Sequence, residues 1–393
     1  MVRELSERGH TIDEYIIRGG RPNLNHWPLS PYVRNSYQTV FDPARVGLRP
    51  YLAHVWVSLA RTWWAVHRIK RSLALLAAEM NQRGYDFVHI DQCAPCTAIS
   101  LVPYLAPPVV VYSHETSNIR HRAVQSSPAQ GSVVRRSYAQ LCGLAVRLSG
   151  DVRDRADLAG TRLARLILTN SYYSKEALFQ RTFCTASVCR YGVDIETFRP
   201  LSVPFERMIL SVGRVVPAKR HHLVLEAAAA MAAARRPRVV IATPEDVGRQ
   251  EDMDYGDRLL RFAKDKSIEL EIRRNPTQDD LVRLYNRATA VVFVPMMEPF
   301  GLVALEAMAC GTPVVGVREG GIRESVVDGE TGLLVDGDVG EIAGAIDYLQ
   351  QHPDARAAMG QRAMRYVQTE WSWRRAMDRY EAEIRGRVLT TDM

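Results

Sequence analysis

A chain of 393 residues, 47% of them hydrophobic, exceeds the length at which one core usually stops growing, so two domains are the default reading. Its cysteines (Cys93, Cys96, Cys142, Cys184, Cys189 and Cys310) are too sparse for the framework of a small secreted domain. The polar opening from Met1 to His10 is unlike a signal peptide, which points to a reducing cytoplasm.

No apolar run reaches the ~18 residues that a bilayer span requires. The best candidate, 51–65, is cut by His54 and Arg61, which excludes a spanning helix of that kind. A formal charge of +7 and a pI near 9.1 favour an anionic partner: nucleic acid, a membrane surface or a phosphorylated substrate. No helix-turn-helix, zinc-finger or RRM signature is present, so nucleic acid is set aside.

In chain order, residues 3–12 read as the end of a helix running into a strand at 12–17. A doubly wound nucleotide-binding domain normally opens with a strand and a glycine-rich turn, and both are expected to be missing here. Gly19 and Gly20 come after the strand and do not replace that turn. A helix is expected over 51–82. Within it, 61–71 interleaves Trp63 and Trp64 with basic residues, which suits either a helix lying at an anionic membrane surface or an amphipathic helix packed on the core. Strands follow at 87–90, 109–112, 166–169 and 187–190, with a helix over 132–159.

The alternation continues with strands at 208–212, 238–242, 270–273, 290–294, 313–317 and 333–335. Helices are expected at 223–234, 279–288, 302–309 and 340–350, the second started by a Thr277/Asp280 capping box. The prolines and serine of 198–204 mark the seam. The organisation read from this pattern is an N-terminal domain at 1–199, a C-terminal domain at 200–371, and a last helix at 372–393 that packs back across the seam.

The most informative segment is 291–311. An apolar strand ends at Pro295, a loop carries Glu298, and a helix starts near Gly301 and stops at Gly311. Free amides at Gly301, Leu302 and Val303 would form an anion site at the helix N-terminus, where a nucleotide diphosphate binds. Glu306 could accept hydrogen bonds from a ribose diol and Glu298 from sugar hydroxyls. Taken singly, each is equally readable as a solvated acid or as an acid complementing the helix dipole. In 209–219 a strand runs into a turn where Gly213 allows tight passage and Arg214 and Lys219 follow. By themselves those two cations are readable as solvated surface charges.

Taken together, Glu298-Pro-Phe-Gly-Leu-Val-Ala-Leu-Glu306, the following 307–315, Gly320-Gly321-Ile-Arg-Glu324 and 326–335 resemble the signature of retaining family 4 glycosyltransferases. The resemblance implies a GT-B fold: α/β, two Rossmann-like doubly wound domains facing across a cleft. It implies hexosyl transfer from a nucleotide-diphosphate sugar to an acceptor hydroxyl with retention of configuration. The donor is a co-substrate, and neither a cofactor nor a metal is expected. Arg214 and Lys219 match the family's diphosphate-binding cations. Gly213, Phe300, Gly301 and Leu302 fall on its donor-binding segments beside Glu298 and Glu306.

His114, ending the strand at 109–112, matches a histidine beside the donor sugar, or else is a core or capping histidine; Glu115 stands where an aspartate is frequent. The segments 170–175 and 191–200 also look like family segments, and Asp194 reads as architectural. At 241–248 the usual glycine-rich turn is absent.

Cys93 and Cys96 read as structural, because no second pair completes a metal site. Asp252-Met-Asp254 and Asp336-Gly-Asp338 lack the context of a metal-binding Asp-x-Asp. The expected partners are a nucleotide sugar and a carbohydrate or lipid-linked acceptor, as in cell-envelope polysaccharide assembly. The expected place is the cytoplasm, or peripheral contact at the inner face of the cell membrane. A nucleotide-sugar epimerase and a non-catalytic nucleotide-sugar-binding protein are the alternatives.

Overall fold

The computed structural model describes residues 1–19, 31–41, 71–92, 98–114, 158–244 and 250–389. The chain divides into two compact units. The first takes Met1–Asn170, Ser174–Cys189 and Met377–Met393, and the second takes Ser171–Tyr173 and Arg190–Ala376. The chain thus leaves the first unit after Cys189, upstream of the proline-bearing stretch at 198–204. Val193 and Phe198 are already buried in the second core. The helix Trp373–Arg387 starts in the second unit and belongs to the first from Met377 onward.

In the first unit a helix at Val2–Glu7 leads into strand β1 (Asp13–Gly19), which pairs in parallel with β2 (Asn35–Phe41). Sequence reading missed β2, because a polar strand of this kind is fixed by its partner more than by periodicity. Arg34 and Asn35 both donate to the Asp13 carboxylate, at 2.7–3.0 Å, and Ser36 donates to Glu14 at 2.9 Å. A separate parallel sheet holds β3 (Val88–Gln92), β4 (Val109–Ser113), β5 (Leu166–Thr169) and β6 (Ser187–Val188), in that order. Every residue of β4 and β5 is buried, the pattern of a sheet covered on both faces.

The second unit is a six-stranded parallel sheet. Its strands are β7 (Met208–Val212), β8 (Arg238–Thr243), β9 (Leu270–Arg274), β10 (Ala290–Phe293), β11 (Val314–Val317) and β12 (Gly332–Val335). Their order is β12-β11-β10-β7-β8-β9, so the first strand of the unit lies between the second and the fourth. That is the doubly wound arrangement, with its switch point between β7 and β10. The runs in β7, β8, β10 and β11 are almost wholly apolar because helices cover both faces.

Helices His221–Ala230, Gln278–Arg287, Leu302–Ala309 and Val339–Gln351 form where the sequence pattern places them, with ends shifted by up to four residues. Among the described residues, four further α-helices, Tyr172–Thr182, Gln250–Asp265, Ile322–Ser325 and Pro353–Glu370, were not foreseen. The second of these takes up Asp252 and Asp254. Asp338 caps the helix at Val339, and Asp336 pairs with Arg318 at 3.2 Å, so both Asp-x-Asp pairs are occupied by ordinary secondary structure.

Of the expected helix at 51–82 only 71–82 is described, helical to residue 81, and of that at 132–159 only its last two residues. Trp63, Trp64, Cys93, Cys96, Glu115 and 245–249 lie outside the described residues. Among the described residues no helix is long and apolar enough to cross a membrane.

The capping box forms as read. Thr277 Oγ1 accepts from Asp280 N–H at 3.1 Å, and the Asp280 carboxylate accepts from Thr277 N–H at 3.2 Å. Thr277→Ala is expected to lower the unfolding free energy by about 1 kcal/mol, measured as a drop in the urea midpoint with an unchanged m-value.

Candidate functional site

Two neighbouring strands of the second sheet, β7 and β10, pair through Ala290 with Ile209 and Val291 with Leu210. The segments leaving their carboxyl ends are therefore side by side, at the switch point where open α/β sheets bind ligands. From β7 comes the turn holding Gly213, Arg214 and Lys219; from β10 comes the loop holding Glu298. The two are laced by Met296 N–H, which donates to Ala218 O at 2.8 Å.

Lys219 Nζ lies 2.7 Å from Glu298 Oε2. The lysine stem runs over Gly213, whose φ is +146° and where a Cβ would sit 3.4 Å from Lys219 Cδ. Its ammonium is 5.8 Å from the centroid of the Phe293 ring. Arg214 is exposed, and its guanidinium pairs with no described residue. The site thus offers one open cation and one held by a carboxylate.

The Glu298 loop is held by a backbone contact that only glycine permits. A Cβ on Gly320 would stand 2.3 Å from Glu298 O, and one on Gly321 would stand 2.2 Å from Pro299 O. With no side chains there, Gly321 N–H reaches Glu298 O at 2.8 Å. Glu319, just before them, accepts from Arg220 at 2.8 Å and from Met297 N–H at 3.3 Å, which fixes the other end of the loop.

Phe300 is buried, its ring against Tyr191 and Trp371 at centroid distances of 5.9 and 5.7 Å. Its side chain anchors the loop in the core. Gly301 N-caps the Leu302–Ala309 helix at φ +90°. The amides of Gly301, Leu302 and Val303 donate to no described residue, so the N-terminal donors are available to an anion. Leu302 is exposed in that first turn.

Glu306, one turn on, accepts a hydrogen bond from Tyr285 Oη at 2.7 Å. Burial raises the pKa of this carboxyl, and the tyrosine hydroxyl offsets part of the rise. Thr312 Oγ1 in turn donates to Tyr285 O at 2.7 Å. One oxygen of Glu306 is held, leaving the other to serve as an acceptor.

His114, in the first unit, follows β4. Its Nε2 is 2.8 Å from Oδ1 of Asp91, a residue of β3, and its ring stacks on Tyr112 with centroids 4.9 Å apart. His89 Nε2 is 3.5 Å from the same oxygen, and His89 Nδ1 is 2.9 Å from Tyr380 Oη. Although half of the Asp91 side chain is exposed, crowding by the protein would by itself raise its pKa; hydrogen bonds from the two histidines outweigh this and hold the carboxyl well below its ordinary value. Sequence reading missed Asp91. The signal available was its position one residue past a predicted strand, on the carboxyl edge of a parallel sheet. Asp194 accepts from Glu196 N–H, Thr197 N–H and Thr197 Oγ1, which closes a turn, an architectural role.

Residues 195–366 match the family model of glycosyl transferases group 1. That segment holds every candidate residue from Gly213 to Glu306, whereas His114 lies outside it. Among curated proteins, the D-inositol 3-phosphate glycosyltransferase of Frankia alni is 40% identical over 187 residues, 43% of this chain and 45% of that protein. The one from Mycobacterium tuberculosis (strain ATCC 25177 / H37Ra) is 37% identical over 230 residues, 51% of this chain and 46% of that protein. The chain thus spans about half the length of these relatives.

Among solved structures, sucrose-phosphate synthase from Thermosynechococcus elongatus superposes with a TM-score of 0.71 at 20% identity, covering 98% of this chain and 90% of that one. Anabaena HepE in complex with UDP and glucose gives 0.67 at 18% identity, covering 96% and 100%. These likenesses establish the GT-B fold.

Within the group 1 segment, His221 is a residue that sequence reading did not single out. It is buried, and its Nε2 lies 3.1 Å from Arg214 O while Nδ1 lies 2.9 Å from Ser211 Oγ. A carbonyl can only accept, so Nε2 carries the proton and Ser211 donates to Nδ1. The neutral ring ties the Arg214 turn back to β7.

Burial lowers the His221 pKa to about 4. The unfolded chain takes up this proton near pH 6.5 and the folded chain only near pH 4. Stability from this group is therefore complete above about pH 6.5 and is lost as pH falls toward 4, by up to about 3 kcal/mol. His221→Gln is expected to flatten that part of the stability profile, measured by urea unfolding between pH 7 and pH 4.

Proposed function

We propose that this chain is a retaining glycosyltransferase that moves a hexosyl group from a nucleotide-diphosphate sugar to an acceptor hydroxyl. The observation that carries the reading is the convergence of Arg214, Lys219 and the open amides of Gly301, Leu302 and Val303 on the β7/β10 switch point. Cations and oriented amides together suit a diphosphate whose charge grows as the sugar leaves. Arg214 is assigned to two phosphate oxygens and Lys219 to the developing charge. Glu306 takes the ribose diol through its open oxygen, and Glu298 takes sugar hydroxyls.

In the proposed reaction, the acceptor oxygen attacks the anomeric carbon from the face the diphosphate leaves. The bond to phosphate breaks with its electron pair passing to the diphosphate oxygen, and that oxygen accepts the acceptor's proton. Configuration is retained and no protein nucleophile forms a bond. His114, oriented by Asp91, is assigned to the sugar at the reacting centre. The diphosphate's charge is met by protein groups, so the reaction is assigned no metal.

The acceptor is proposed to be a carbohydrate or a lipid-linked sugar in cell-envelope assembly, reached by an enzyme in the cytoplasm or peripheral at the membrane's inner face. D-inositol 3-phosphate, for which the relatives are named, belongs in the acceptor panel.

A nucleotide-release screen with purified protein, a panel of sugar nucleotides and candidate acceptors tests the reading. Lys219→Ala and Glu306→Gln are each expected to lower kcat/KM by about 100-fold or more. Full activity in both variants would overturn the donor site. His114→Ala is expected to lower kcat by about 100-fold with little change in donor KM, read from initial rates at saturating acceptor.

A further inference from the structure

Two carboxylates stand among the cations of the β7/β10 site, and they are used differently. Glu319 is committed to Arg220 and to Met297 N–H. Among the described residues, Glu298 bears on Lys219 alone, at 2.7 Å, and each of these side chains is 22% exposed. Neither backbone is free to drift. The lysine turn is closed by Lys219 N–H donating to Val216 O at 2.9 Å, and the glutamate is clamped by Gly320 and Gly321. The side-chain pair itself is free to adjust by rotation about its own bonds.

We propose that Glu298 is a competing counter-ion for Lys219, which biases the site toward intact sugar nucleotide and against the free nucleoside diphosphate product. This rests on the donor-site reading above and gives Glu298 a role besides binding sugar. A diphosphate reaching Lys219 must displace the carboxylate or share the ammonium with it against like-charge repulsion. An intact donor compensates, because its sugar hydroxyls donate to the displaced carboxylate, an acceptor-only group. The free diphosphate brings no such donor and leaves a part-buried carboxylate unpaired. Specificity is this difference between two affinities, built by penalising the wrong ligand. After transfer, Glu298 returns to Lys219 as the product leaves.

The test is calorimetric titration of UDP, GDP and ADP into wild type, Glu298→Gln, Glu298→Ala, Lys219→Ala and the Lys219→Ala/Glu298→Gln pair. Circular dichroism checks the fold of each variant. Both Glu298 variants are expected to bind the diphosphate recognised by wild type about tenfold more tightly, a shift of about 1.4 kcal/mol. In the Lys219→Ala background that gain should disappear. They should also be more strongly inhibited by product, while their kcat falls.

Unchanged or weaker binding in both Glu298 variants, with Lys219→Ala weaker than wild type, overturns the counter-ion role and leaves the donor site standing. Lys219→Ala binding as tightly as wild type, or wild type binding none of the diphosphates, removes the donor-site reading and this inference with it.

Discussion

The pairing of β10 with β7 is the constraint on which the second unit's candidate site depends. The two strands are about 80 residues apart in sequence, yet their hydrogen bonds put the turn after one beside the loop after the other. Lys219 reaches Glu298 only through that adjacency. The crossover segments that permit it, β8 and β9 with their helices, fill the far side of the sheet and bring no assigned residue to the site.

On this scaffold, the geometry of the candidate site comes from backbone contact and burial more than from its polar side chains. Gly320 and Gly321 admit the Glu298–Pro299 backbone to distances that a methyl group would block. Phe300 plugs the same loop into an aromatic cluster with Tyr191 and Trp371. His221, kept neutral by burial, holds the carbonyl of Arg214 and leaves its guanidinium open. A fixed main chain with a few adjustable charges is the arrangement expected where an anion must be bound tightly and then released.

Charges in the two units are tuned by different means. Glu306 has its pKa raised because burial outweighs its single hydrogen bond to Tyr285. Asp91 has its pKa lowered because two histidines share its carboxylate. The first group suits an acceptor for neutral hydroxyls. The second keeps a negative charge against His114 and orients its ring.

Sequence alone determined the strands of the second unit and the motif. Runs such as 208–212 and 290–294 are apolar throughout because both sheet faces are covered, and the spacing of Glu298 and Glu306 around Gly301 marks a loop entering a helix. The helix Gln250–Asp265 was legible too, since Tyr255, Leu259 and Ala263 repeat every four residues and are buried. Only the tertiary structure decided which groups meet: Lys219 with Glu298, Tyr285 with Glu306, Asp91 with His114, and β2 with β1. Each of these pairs joins residues at least twenty positions apart, and local periodicity carries no term for such contacts. They are set by strand order and close packing, which exist only once the chain has folded.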